Sequence, residues 1–217
     1  MWRAGSVRGP PAPEAPSRGA CTAPCARTRA AAVYKAGDTA LVVPVPEAEP
    51  GVGGWRARFD PLAADGVPAH VTVVYPFLRA ERLDAPALDA LRELFGGHDA
   101  FTTRFQRCGR FPGALHLVPG ETGRFRALTR DVVSRWPKAP PYGGRFGDPA
   151  PHLTITQGQE PDTLDTVEDD VRKRLPFATS VDGVDLVHYD GDRWHAWTRF
   201  ALRTADTVGV RAAAPQE

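Results

Sequence analysis

The chain has 217 residues, 42% hydrophobic and 24% charged, enough to bury the core of one domain or two small lobes. Its net charge of +1 hides an asymmetry: residues 1–37 hold six of the 27 Lys and Arg and one of the 26 Asp and Glu, a +5 segment, and the remainder carries −4. A body of that sign excludes a broad basic footprint for duplex DNA, and no apolar run reaches the roughly 18–20 residues that cross a bilayer.

In chain order, residues 1–37 are rich in Pro, Ala, Gly and Arg without aliphatic periodicity, so a disordered tail is expected, with Val33 a candidate translation start. Cys21 and Cys25 lie in it and read as unpaired thiols; with Cys108 they make no disulfide framework. No apolar leader precedes the body, so the expected location is the cytoplasm. The body is expected over residues 38–205, and residues 206–217 read as a second disordered tail.

From Thr39, "TALVVPVP" reads as a short strand. Pro50–Pro61 predicts a helix with Val52, Trp55 and Phe59 on one face. "AHVTVVYPF" is a strand, and Leu83–Phe95 a second helix that Gly96 and Gly97 stop. "AFTTRFQRC" and "ALHLVPG" are strands joined by "GRFPG", and Glu121–Trp136 is a helix with Phe125, Leu128, Val132 and Val133 inward. Pro137–Pro151 is a long Gly/Pro-rich loop of the kind that carries function. "HLTITQ", a helix near Asp162–Leu175, and the strands "SVDGVDLVHYD" and "RWHAWTRFALR" complete the body. Strands with helices between them and a hairpin at the end give a mixed α/β or α+β fold. The two halves share an order of strand, helix, His-x-Thr strand, helix, as in a duplicated unit around a pseudo-twofold axis.

The repeated element is the one that carries chemistry. In a strand, residues i and i+2 share a face, about 6.5–7 Å apart. His70 and Thr72 therefore point one way while Val71 and Val73 pack the other; His152 and Thr154 repeat this against Leu153 and Ile155. Two imidazoles and two hydroxyls suit phosphodiester cleavage without a metal. One neutral imidazole takes a proton from water, the other, protonated, gives one to the leaving oxygen, and the hydroxyls hold the non-bridging oxygens. Either histidine fits either role. A lone His-x-Thr would be weak; two on separate strand-like runs are specific. In the long loop, Arg145 is placed to fork onto a phosphate, and Tyr142 and Phe146 to stack on a base.

The paired motifs resemble the 2H phosphoesterase superfamily, whose signature is two His-x-[Ser/Thr]-apolar segments. Within it the sequence is most similar to the bacterial 2′-5′ RNA ligase family. It shares "YPF" after the first motif, "RFPG" at Arg110–Gly113 and "PPYGG.F" at Pro140–Phe146, over about Thr39 to Leu202. The resemblance implies a duplicated, bilobal α+β fold with a central cleft. It also implies metal-independent chemistry without a cofactor, with His70, Thr72, His152 and Thr154 as the site. The implied substrates are RNA ends or small nucleotides bearing a 2′,3′-cyclic phosphate, with reversible 2′-5′ joining of RNA ends as a further implied activity.

Two other readings stand beside this one. A non-catalytic module for RNA ends or nucleotides would keep the cleft without needing both proton-transfer groups. A metalloenzyme using His70 and His152 would need a further ligand, and Asp148 is the acid nearest either motif.

Overall fold

The computed structural model describes residues 34–204. Most of the expected N-terminal tail, including Cys21, Cys25 and Val33, and the C-terminal tail at 206–217 lie outside the described residues. Tyr34, on the tail side of the expected boundary at 38, packs edge-on against Tyr75, Tyr189 and Trp194 at 5.4–5.9 Å.

The elements are β1 (Thr39–Pro44), α1 (Glu49–Phe59), the single turn α2 (Pro61–Ala64), β2 (His70–Val74) and α3 (Ala85–Gly96). Then come β3 (Phe101–Phe111), β4 (Ala114–Pro119), α4 (Thr122–Arg135), β5 (Leu153–Thr156) and α5 (Pro161–Arg172). The strands β6 (Phe177–Val181), β7 (Gly183–Tyr189) and β8 (Trp194–Ala201) close the body. They form two four-stranded antiparallel sheets, ordered β2-β1-β7-β8 and β5-β4-β3-β6. The expected duplicated α+β architecture is present: β1-α1-β2 in one lobe matches β4-α4-β5 in the other, and each motif strand is the edge strand of its sheet.

Each lobe lends its intervening helix to the other lobe's motif strand. Helix α1 packs on β5, where the Phe59 carbonyl at its end accepts from the Gln157 amide at 2.9 Å. Helix α4 packs on β2, where the Thr129 hydroxyl donates to the Val73 carbonyl at 2.9 Å. This exchange sets the two edge strands against each other. It also joins both lobes in one core, which takes Leu91 and Phe95 from α3, Phe125, Leu128 and Val132 from α4, and Leu164, Val167 and Val171 from α5. Burying a large aliphatic or aromatic side chain in such a core contributes about 1.5–3 kcal/mol. A smaller apolar cluster of Ala40, Val42, Val187, Tyr189 and Trp194 covers the other face of the first sheet.

Three boundaries differ from the sequence reading. The third helix starts at Ala85 because the Asp84 carboxylate caps it, accepting from the Ala87 amide at 3.0 Å. Strand β3 runs through Arg110 to Phe111, leaving a two-residue turn in which Gly113 takes φ +69°. "SVDGVDLVHYD" is two strands in different sheets. The chain crosses between lobes at Gly183, where a Cβ would lie 2.7 Å from Arg199 Nε and 2.9 Å from the Phe200 carbonyl oxygen. Its apolar alternation continues across the break and conceals it. Among the described residues, no helix is long and apolar enough to cross a membrane.

Candidate active site

His70 opens β2 and His152 immediately precedes β5. The alternation is as expected: Val71, Val73, Leu153 and Ile155 are buried, and Thr72 and Thr154 are half-buried on the other face. Both imidazoles are held by the same local device. His70 Nδ1 lies 2.8 Å from the Pro68 carbonyl oxygen, and His152 Nδ1 lies 2.7 Å from that of Ala150. A carbonyl only accepts, so in both rings Nδ1 carries the proton and donates it. Each Nε2 is left to accept a proton when the ring is neutral and to donate one when it is charged.

The segment entering β2 is anchored from α1. Buried Arg56 donates to the Asp60 carboxylate at 2.9 Å and to the Val67 carbonyl at 3.2 Å, while Glu49 accepts from the Ala69 amide at 2.6 Å. Sequence periodicity assigned the buried face of this helix to Val52, Trp55 and Phe59. Arg56 was missed because a buried arginine shows only once its carboxylate partner is placed. His70 is 6% exposed, and burial pushes its pKa from 6.5 down to about 4. The Pro68 carbonyl opposes that shift, and charge on Arg56 and on His152 adds to it. Burial also lowers His152, against the pull of the Ala150 carbonyl. Strands β2 and β5 pack against each other, which brings the two motifs together.

The long loop reaches the first motif. Tyr142 adopts φ 53°, ψ 30°, a left-handed backbone unusual for a residue with a Cβ, and Gly143 and Gly144 follow it with φ 63° and 78°. The Tyr142 amide donates to the Tyr75 carbonyl at 2.5 Å, fastening the loop to the end of β2, and its phenol is within hydrogen-bonding reach of Thr72. Phe146 contacts Tyr142 edge-on at 5.6 Å and is 58% exposed. Arg145 is exposed, and its side chain makes no hydrogen bond or ion pair among the described residues. Tyr142 thus joins the site, whereas Arg145 and Phe146 stand at its solvent side. Asp148, the acid weighed as a third metal ligand, pairs instead with Arg126 at 3.1 Å. Among the described residues, no three His, Cys, Asp or Glu side chains converge into a metal shell.

Two residues at the second motif were not singled out from the sequence. His116 on β4 stands opposite Thr154 in the ladder and therefore shares its face. Its ring lies 5.3 Å from that of His152. Phe111 stacks on His116 at 4.2 Å and meets His152 edge-on at 5.0 Å. Burial lowers the His116 pKa to about 4, with His152 and Arg107 adding to the shift. The signal that would have found them is a histidine between leucines in "ALHLV" together with a mid-strand glycine, Gly109, a mark of close approach. Two hollows of about 410 and 210 Å³ lie elsewhere, and neither lining includes a histidine.

Residues 43–193, which include both motifs, match the family model for the 2′-5′ RNA ligase superfamily. Among solved structures, Escherichia coli LigT complexed with 3′-AMP superposes with a TM-score of 0.51 at 18% identity, covering 77% of this chain and 99% of that one. TT0787 of Thermus thermophilus gives 0.52 at 18% identity, over 77% and 99%. LigT complexed with NADP+ gives 0.50 at 19%, over 78% and 99%. The fold is that of these LigT-like phosphoesterases. No curated protein matches the sequence.

Proposed function

The chain belongs to the 2′-5′ RNA ligase superfamily, which supports a phosphoesterase or RNA-ligase type of activity, and from that premise we propose that it opens 2′,3′-cyclic phosphates on RNA ends or related small nucleotides. One observation carries the reading: two imidazoles from two lobes, each fixed through Nδ1 to the carbonyl two residues upstream, each with Nε2 left for proton transfer. Solved LigT complexes with 3′-AMP and NADP+ support a nucleotide as the bound class.

In the proposed reaction one neutral Nε2 takes a proton from water as the water oxygen bonds to phosphorus. The bond from phosphorus to the 2′ or 3′ oxygen breaks, and the other Nε2, protonated, delivers its proton to that oxygen. Thr72 and Thr154 donate to the non-bridging oxygens. With an RNA 5′-hydroxyl attacking phosphorus in place of water, the same two roles would join a 2′,3′-cyclic end to that hydroxyl, and the imidazoles exchange roles when that link is cleaved back to the cyclic phosphate. Nothing in this scheme draws on a metal, and Asp148, held by Arg126, supplies no third ligand.

The test is turnover of a short RNA ending in 2′,3′-cyclic phosphate, in EDTA, by wild type, His70→Ala and His152→Ala. Wild type opens the ring, and each variant loses about 10²-fold or more. An inert wild type that still binds the nucleotide would instead support a binding module. Loss of wild-type turnover in EDTA alone would return the metal reading.

A further inference from the structure

The buried ion pair at the end of α1 makes more bonds than the helix needs. The Asp60 side chain is fully enclosed and accepts four hydrogen bonds, as many as the two oxygens of a carboxylate commonly take. Arg56 supplies two of them, from Nε at 3.2 Å and Nη2 at 2.9 Å, both to Oδ2. The other oxygen, Oδ1, takes the Leu62 amide at 3.2 Å and the Gln157 side-chain amide at 3.1 Å. Gln157 directly follows β5, the strand that His152 leads into. One carboxylate therefore reaches from the end of α1 to the second motif strand.

The same pair reaches the first motif. Arg56 Nη2 also donates to the Val67 carbonyl, and its Nη1 lies 3.5 Å from Glu49 Oε1, which accepts from the Ala69 amide. The Val67 amide donates to the Leu62 carbonyl at 2.9 Å, and the Ala69 carbonyl accepts from the Val45 amide at 2.7 Å. Pro68 thus sits between two residues whose amide and carbonyl are both held, and its own carbonyl is the one that orients the His70 ring. The second lobe has a looser counterpart. Arg126 on α4 pairs with Asp148, four residues before His152, but their side chains are 43% and 73% exposed.

A buried ion pair is a poor way to gain stability, because desolvating both charges offsets most of their attraction, and apolar residues of similar volume serve as well or better. Its value lies in direction, since each bond fixes a donor against an acceptor. We propose that Arg56 and Asp60 are positioning residues for the reaction: one ion pair holds the chain just before His70 and just after β5, and so sets how the two imidazoles meet the phosphate. Their role rests on the reaction proposed above. Arg56 also bears on the proton transfer, for it and His152 are the charged groups that act on His70, and both disfavour its protonation.

The experiment measures kcat and KM for a short RNA ending in 2′,3′-cyclic phosphate between pH 4 and pH 8. Arg56→Met combined with Asp60→Leu keeps a cooperative urea transition, since no charge is left buried alone. It should lower kcat about 10²-fold with KM within about threefold of wild type, because reacting groups are displaced while the substrate still binds. Loss of the cation also moves the His70 limb of the pH profile to higher pH. Gln157→Leu, at an exposed position, cuts only the bond to β5 and should lower kcat about tenfold with that limb unmoved. Arg126→Ala stays within about threefold of wild type, as an exposed pair contributes little. Wild-type kcat in Gln157→Leu, a loss confined to KM, or an equal loss in Arg126→Ala would overturn the role. If the double variant does not fold, Gln157→Leu decides alone. If wild type does not open the ring, the proposed reaction fails, and NMR titration of the His70 imidazole decides the role separately. A titration displaced to higher pH in the double variant supports it; one that coincides with wild type overturns it.

Discussion

At the scale of single residues, the two motif histidines owe their orientation to the carbonyl two positions upstream. The bond from Nδ1 to Pro68 or Ala150 fixes both the tautomer and the ring direction before any substrate arrives. Burial then makes the charged form costly, and this has a sign that can be measured. The His70 pKa is about 4 in the folded chain, below the ordinary value of 6.5, so between those values the unfolded chain binds more protons. Stability is therefore full above pH 6.5 and drains as the pH falls toward 4, by about 2 kcal/mol at pH 5 from this one ring. Urea unfolding at pH 7.5 and pH 5 should show that loss in wild type and a smaller one in His70→Gln. The same depression moves kcat/KM. The acid must be charged while the base is neutral, so the bell-shaped optimum lies on the acid side of 6.5. His70, Thr72, His152 and Thr154 were legible because strand alternation places i and i+2 together. Phe111 and His116 were not, since their meeting with His152 depends on the β3-β4-β5 register, which local periodicity does not encode.

Among the elements, the exchange of α1 and α4 between lobes does the positioning. Their helical identity was legible from apolar spacing, and so was the duplicated order of strand and helix. What periodicity could not say is that each helix packs against the other half's motif strand, because an apolar face does not name its partner. The same blindness hid the crossing at Gly183, where two strands of different sheets read as one. Leu128, 1% exposed on α4, lies in the core shared by both lobes. Leu128→Ala should cost about 2–5 kcal/mol and shift a single cooperative urea transition without splitting it. Two separated transitions would mean that the lobes fold independently and that α4 does not couple them.

For the whole molecule, the bilobal, duplicated plan has one consequence: an edge strand from each of two sheets carries one motif to the candidate site. Residues from 38 onward carry −4 in formal charge, so the proposed substrate is met at an end or at one phosphate rather than along a duplex. The central claim is that His70 and His152, from separate lobes, act on that phosphate in one step. It is tested most directly by a double-mutant cycle in kcat/KM for the cyclic phosphate, with His70→Ala, His152→Ala and the pair. Groups that act as a unit are strongly non-additive, so the double variant should be about as slow as the slower single one. Losses that simply multiply, or a single variant as fast as wild type, would contradict the account.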